Sequence, residues 1–581
     1  MIVRNYFDDN PDLQFTLKHF VNWQEIIPLR ENNFADFQKY RQTQDDRYAL
    51  APENTAQAVE NCLDILQQVG EISGKNVASA SRTMEEQGLK LVEGKVIFPD
   101  EFIKLYETVA GAGILSAPIG REYGGLNMPL PALMAMKEML TRGDNSFEIA
   151  VAVSYLSNIV YKFCPEEMKE EFIPKIISGE LTAAMGLSEP DFGSDLAHVR
   201  SKAVKQEDGS YRITGSKRFI THGCGIGDKP AIIFTLARTS GSGGKGLSFF
   251  LVHSKDVVVS RIEDKLGLHC SPTCELVYED TPATLIGREG DGLIKYVIAM
   301  LNHGRLGVAV ESVGVAQAAL AEAQKYASER VQFGKTLDQI PAVKRMLDEM
   351  TAIVQAKRAL VYRTAEVVER FELSHEKLVA EGQDARSIRK NPQIVELDKL
   401  AKLFTSIAKL MCSEYANKVA YDAVQIFGGA GFTEEYDISK LYRDARISTI
   451  YEGTTQIHIN TASGVLVEGF KEGGVILEYI RKEIQDWKDT GKKDVVSTLL
   501  QECLTLMDAF KEKSSEDRLY LVRDIVYPFA HLFVFSLLGT QIQLSGEQSP
   551  ENFAEEKQAV FDKYLLLTKN SIAMGKTSLL G

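Results

Sequence analysis

The chain lacks most of what would mark it for secretion, nucleic acid or a membrane. Its 581 residues include seven cysteines, an odd number with no repeating spacing. That does not read as a disulfide framework, and reduced thiols in a reducing, cytoplasmic compartment are expected. Positive charge is in short supply: 66 Lys and Arg stand against 80 Asp and Glu, a net charge of −14. A protein without a basic surplus is poorly suited to nonspecific nucleic-acid binding, so no nucleic-acid partner is expected. No apolar run reaches the ~18 residues of a membrane span. The closest, Phe529 to Leu538, follows Pro528 and has no accompanying basic face; it reads as a buried interface helix, and membrane contact is not expected. The first ten residues are too acidic for a signal peptide. His269, Cys270 and Cys274 have no second pair at a matching spacing, so no metal site is expected. Gly111-Ala112-Gly113 lacks the third glycine and the preceding strand of a dinucleotide loop and reads as packing glycines in a helix. The Gly241–Gly246 stretch lacks the hydroxyl residue of a phosphate loop and reads as a hairpin tip.

What is present is an ordinary soluble composition, 44% apolar and 25% charged, at a length that implies several domains. Residues 1–50 mix polar and aromatic side chains and read as an N-terminal extension packed on something larger. Over 51–180 the period is helical, with Val59, Cys62, Leu63, Leu66 and Val69 on one stripe. The period changes near 181. Residues 201–214 read as a hairpin turning at Asp208-Gly209, and Ala231–Ala237 and Leu247–Val252 as further strands. The spacing predicts a small β-barrel or sandwich domain over 181–288. From 289 to 465 long bundle helices are expected, as in Val343, Met346, Met350 and Ile353 and again in Leu400, Leu403, Ile407 and Leu410. Residues 371–397 are charged and read as an exposed insertion in that bundle. Residues 466–581 read as an additional helical domain. The fold class is therefore α+β and mostly α.

The stretch Ile450–Asn460 is the most informative. Glu452 sits between an aromatic and a glycine, followed by Thr454, Thr455 and Gln456. Gly453 allows a turn, and the two threonines can cap a new helix whose free N–H groups suit an anion. By itself this reads either as a turn presenting Glu452 into a pocket or as an exposed loop glutamate.

Four separated motifs decide between those readings. They are Gly186-Leu187-Ser188-Glu189-Pro190 with Gly193-Ser194-Asp195; Gly215-Ser216-Lys217-Arg218-Phe219-Ile220-Thr221; Glu329-Arg330 with Phe333-Gly334-Lys335; and Gln425 with Gly428-Gly429, Arg443-Asp444-Ala445-Arg446 and Tyr451-Glu452-Gly453-Thr454. In this order, across the α, β, α division and over roughly residues 100–465, they resemble the acyl-CoA dehydrogenase family. The extra C-terminal domain resembles its longer members.

The resemblance implies FAD as cofactor, bound without a Rossmann loop. It implies that Ser188 and Thr221 hydrogen-bond the flavin edge, that Phe219 shields a ring face, and that Ser194 lies near the pyrophosphate and the CoA arm. Thr454 and Gln456 are implied as further cofactor contacts. Arg330, Phe333, Gln425 and Gly429 match positions that reach the FAD of a neighbouring subunit, which implies a homodimer or homotetramer. Phe333 also reads as a core aromatic.

The implied reaction forms a trans-2-enoyl-CoA in fatty acid β-oxidation. Glu452 takes the α-proton, hydride passes to flavin N5, and electrons go on to an electron-transfer flavoprotein. The Glu452 N–H would polarise the thioester oxygen, and Tyr451 and Gly453 would line the acyl site. The alternative base position of the family is occupied here by Gly304, which leaves Glu452 without a rival. Arg305 reads as a packing or ligand-positioning charge. Glu148 falls on a pocket position, where it would repel a dicarboxylyl substrate, or else faces solvent. Three other readings stay open: an oxygen-using acyl-CoA oxidase, a non-catalytic acyl-CoA binder, and a nucleic-acid-binding relative.

Overall fold

The computed structural model describes residues 1–548 and 551–581. The chain divides into two units, Met1–Tyr6 with Glu31–His303, and Phe7–Arg30 with Gly304–Gly581.

The first unit begins with helices. The helix Thr55–Glu71 starts where the Asn54 side chain accepts a hydrogen bond from the Gln57 amide, and it buries Ala58, Cys62, Leu66 and Val69. A short hairpin that the helical period did not announce follows. Strands β1 (Lys90–Val92) and β2 (Lys95–Ile97) pair antiparallel around Glu93 and Gly94, both at positive φ. Two such residues in succession match the twist of a tight hairpin. Gly111 and Gly113 are not packing glycines inside a helix. Gly111 ends the helix Asp100–Gly111, and Gly113 follows at φ +74°, a conformation that costs glycine little.

The middle of this unit is a barrel. Its strands are β3 (Thr182–Gly186), β4 (Lys202–Lys205), β5 (Tyr211–Thr221), β6 (Ala231–Arg238), β7 (Leu247–His253), β8 (Val258–Ile262) and β9 (Thr273–Ile286). The path β6-β4-β5-β9-β7 closes through a β6–β7 pairing, with β3 parallel to β6 and β8 attached to β9. The β4–β5 turn holds Gly209 at φ +87°, with the Asp208 carboxylate accepting from the Ser210 amide. Strand β6 is apolar on both faces. Ile233 packs with Ile213, Phe250 and Leu276 on one side, and Phe234 and Leu236 pack with Phe249 and Phe172 on the other. That explains its run of apolar residues, interrupted only by Thr235 between Ala231 and Ala237.

The second unit is helical. Its bundle comprises the helices Ile298–Glu329 (from Gly304 onward), Pro341–Ala380, Pro392–Phe427 and Thr455–Gly469. The charged 371–397 stretch does not interrupt the bundle as far as expected, because the helix runs on to Ala380 and the next starts at Pro392. Charge on a helix face that meets solvent or an ion-pair partner leaves the helix intact, and Glu369, near this end, is paired with Arg30. Val475–Gln485, Thr490–Glu512, Arg523–Gln548 and Glu551–Leu580 form the additional C-terminal helices. Phe529, Phe533, Val534 and Leu537 are fully buried. Two helical segments, Asn302–Glu329 and Arg523–Gly546, are long and apolar enough to cross a membrane, contrary to the expectation from apolar runs, and both are mostly buried in protein.

Residues 7–30 are tied into this unit by buried charge. Asp12 is paired with Arg358 and with Lys557. Arg358 also donates to Gln317, and Lys557 to Gln355 and Gln541.

Candidate active site

The second unit carries the acid. Between the short helix Ile438–Ala445 and the helix Thr455–Gly469, the backbone turns at Glu452 (φ +53°) and Gly453 (φ +99°). A left-handed glutamate is strained, so the turn must be held by its surroundings. Two donors hold it. His458 Nε2 lies 3.1 Å from the Glu452 carbonyl, and Lys409 Nζ donates to the Gly453 carbonyl at 2.5 Å. Both donor residues are fully buried. The glycine is required twice, because a Cβ at 453 would also lie 2.9 Å from His458 Nε2.

The carboxylate faces Gly304 on the bundle helix. A Cβ at 304 would come within 2.5 Å of Glu452 Oε2, so this glycine is the space in which the acid sits. Among the described residues the Glu452 carboxylate accepts no hydrogen bond and makes no close ion pair, and its amide N–H donates to nothing in the chain. Burial pushes its pKa up; Glu311 adds to the rise, and Lys409 and Arg305 oppose it. Desolvation is the leading cause, as expected for a carboxylate with little water and no donor. Glu311 is buried and accepts the Tyr451 hydroxyl. Burial lowers Lys409 to about 8, against the pull of Glu452 and Glu414, and holds His458 neutral with a pKa near 3. Arg305 touches Ser406 Oγ at 3.5 Å, while its buried Nε has no partner.

Thr454 stands at the N-cap of the following helix without capping it through its side chain, and Thr455 instead donates to Glu414. The expected cap hydrogen bonds are therefore absent, and this helix start keeps free N–H groups. Gln456 is exposed.

The first unit brings the other motif residues together. The Arg218 amide donates to the Ser188 carbonyl at 2.9 Å, which lays the 187–189 segment beside Phe219 and Thr221 on β5. Lys217 is buried, donates to Leu187 O and to Glu189, and is lowered to about 8 by burial. Glu189 in turn accepts the Arg200 and Ser201 amides. This lysine–glutamate pair, which the sequence reading passed over, fixes the loop. Ser188 and Thr221 are partly buried, while Phe219, at φ +64°, and Ser194 are exposed. Next to Thr221, His222 is fully buried between Phe98 and Phe102, and neither ring nitrogen has a close partner. Two available hydroxyls and an exposed ring fit the edge of a flavin.

Glu148 does not face solvent. It is completely buried and ion-paired with Lys137 at 2.9 Å, so the argument from its bare charge against dicarboxylyl substrates loses its force. Arg330, Gln425 and Gly429 are exposed on the second unit. Phe333 is not a core aromatic: it stands 95% exposed at the tip of the hairpin formed by β10 (Val331–Gln332) and β11 (Lys335–Thr336).

Sequence reasoning missed Lys409 and His458. A signal for Lys409 was present, since it interrupts the otherwise apolar and small-residue run Ile407–Cys412 of a bundle helix. A buried lysine in such a run needs a partner.

Comparison with known proteins agrees with this arrangement. The chain matches the acyl-CoA dehydrogenase N-terminal domain over residues 63–180, the middle domain over 184–281 and the C-terminal domain over 290–466. The 3-methylmercaptopropionyl-CoA dehydrogenase of Ruegeria pomeroyi is 30% identical over 80% of this chain and 76% of that protein. Butyryl-CoA dehydrogenase from Megasphaera elsdenii superposes with a TM-score of 0.59 at 30% identity, over 70% of this chain and 98% of that one. The acyl-CoA dehydrogenase of Bacillus anthracis, solved with FAD, shares the fold at a TM-score of 0.76 and 24% identity, over 90% of this chain and 88% of that one. The chain belongs to the acyl-CoA dehydrogenase family of FAD-dependent oxidoreductases.

Proposed function

We propose that the protein dehydrogenates an acyl-CoA thioester to the trans-2-enoyl-CoA, with Glu452 as the base at the α-carbon. The observation that carries this reading is the state of Glu452: a desolvated carboxylate of raised pKa, without a hydrogen-bond donor, beside its own unused amide N–H. A carboxylate brought toward neutrality is a competent general base for a weak carbon acid. The amide N–H is a preorganised donor for the thioester oxygen, whose negative charge grows as the proton leaves. FAD, when bound, accepts the two electrons that leave the β-carbon as hydride. Ser188 and Thr221 are the hydroxyls that would hold its edge, and Tyr451 and Arg305 would line the acyl site.

Electrons then pass to an electron-transfer flavoprotein, and the protein works as a homo-oligomer. The exposed Phe333 and Phe432, at 95% and 89% on the second unit, are side chains that such a subunit interface would cover. Seven free thiols fit a reducing compartment, the cytoplasm. The sulfur-containing substrate in the name of the Ruegeria relative makes a thioether acyl chain one candidate beside straight chains.

The test is an anaerobic panel of butyryl-, octanoyl-, palmitoyl- and 3-(methylthio)propionyl-CoA on the yellow holoprotein. Flavin bleaching by one of these, with turnover using a redox dye, is expected. Turnover with oxygen alone would favour an oxidase. No bleaching by any of them, with wild type indistinguishable from Glu452→Gln, would overturn the enzyme reading.

A further inference from the structure

The Glu452 turn is held by groups that the reaction itself does not require. Its two successive carbonyls, of Glu452 and Gly453, receive their hydrogen bonds from His458 and Lys409, and both donors are at zero exposure. Residues in left-handed conformations persist only where the surroundings over-determine them, and these two bonds, with the space at Gly304, are what the structure provides. We propose that Lys409 is a positioning residue: it locks the Gly453 carbonyl, keeps the Glu452 carboxylate over Gly304, and sets a positive charge near that carboxylate. This deepens, and rests on, the reading of Glu452 as the base.

Among the described residues, the charged and titratable groups around Glu452 come from three helices and from the neighbouring Tyr451, whose hydroxyl goes to Glu311. The bundle helix Ile298–Glu329 contributes Arg305 and Glu311. The helix Pro392–Phe427 contributes Lys409, with Glu414 one turn further on, and the helix Thr455–Gly469 contributes His458. Glu311 opposes ionisation of Glu452, and Lys409 and Arg305 favour it. His458 is neutral, so it contributes a hydrogen bond and no charge. Arg305 makes only a long contact to Ser406, whereas Lys409 is bonded to the turn. Lys409 thus couples the geometry of the base to its charge.

Lysine 409 does not touch the reacting carbon in this scheme, so the test must separate positioning from packing. Lys409→Met and Lys409→Arg would be purified with FAD and assayed beside wild type and Glu452→Gln, using the best acyl-CoA of the panel and a redox dye across pH 5–10. In Lys409→Met, kcat should fall about 100-fold with KM little changed, as for a misplaced catalytic group. The acid limb of kcat/KM should move up by about one pH unit or more, because an opposite charge has been removed from a carboxylate. Lys409→Arg keeps the charge, and its acid limb should stay at the wild-type position. If Lys409→Met holds its flavin and loses only thermal stability, with kcat and the acid limb unmoved, Lys409 is packing and the proposal is overturned. If Lys409→Met does not fold, Lys409→Arg and Lys409→Gln in the presence of FAD provide the same contrast of charge kept against charge lost. A Glu452→Gln that still turns over would overturn both this proposal and the reading beneath it. An inactive Glu452→Gln beside an unmoved Lys409→Met overturns this one alone.

Discussion

Two of the charge groups in the second unit differ in how completely they are paired. In the first, Asp12 binds both Arg358 and Lys557, and three glutamine side chains take up further donors of these two cations. In the second, Glu452 has no donor, Arg305 Nε has no partner, and Lys409 bonds a carbonyl instead of a carboxylate. The first group is buried throughout, whereas Glu452 and Arg305 in the second are only partly buried. A closed network ties chain segments together, here the N-terminal residues to the last helix, and it leaves nothing over for a ligand. An open one keeps its charges unspent until a substrate arrives, which is why strongly perturbed, incompletely satisfied groups point to chemistry.

That contrast can be broken from either side. The largest effect is expected at Glu452: Glu452→Gln should keep the flavin and the fold while turnover falls about 10³-fold or more, toward the upper range for removing a general base, as read by dye-linked assay. Next, Asp12→Asn should leave turnover per folded molecule unchanged while destabilising the second unit by about 3–5 kcal/mol, because it leaves two buried cations uncompensated; urea denaturation monitored by circular dichroism measures it. If Asp12→Asn lost turnover in the folded state, the division between the two clusters would fail. Gly304→Ala should place a methyl group against the Glu452 carboxylate. Turnover should drop about 100-fold, the scale of a displacement near 1 Å, with substrate binding by the oxidised enzyme largely kept.

The smallest expected effect sharpens the comparison most. The folded-state pKa of Glu452 is raised, so its protonated form is the better tolerated one, and stability present at low pH is lost as pH rises through that value. Glu452→Gln should therefore be slightly more stable than wild type at neutral pH, by order 1 kcal/mol, the usual yield of relieving a strained active site. The difference should vanish below the ordinary glutamate range. Thermal melts at pH 7 and pH 4 read it.

Much of this was legible in the residues. The β domain announced itself through Asp208-Gly209 and the Ala231–Ala237 run, because turn chemistry and strand period are local. Glu452 could be singled out from its own neighbours and from the company of the other motifs. What could not be read were features that depend on which side chains meet. Lys409 lies 43 positions before Glu452, and nothing in its own helix says that it bonds the carbonyl of Gly453. Glu148 looked like a lone pocket charge until Lys137, 11 residues earlier, proved to be its partner. The Glu93-Gly94 hairpin was hidden because two three-residue strands carry too few residues to show a period. The charged stretch after Phe371 misled for the opposite reason: composition alone does not distinguish a helix face turned to solvent from a break in the helix.

The central claim is that Glu452 removes the α-proton. It is tested most directly by mixing the oxidised holoprotein anaerobically with acyl-CoA carrying deuterium at the α-carbon and following flavin absorbance. Wild type should bleach with a clear primary isotope effect, and Glu452→Gln should stay yellow through the same interval. Bleaching of Glu452→Gln at the wild-type rate, with the isotope effect intact, would contradict the account.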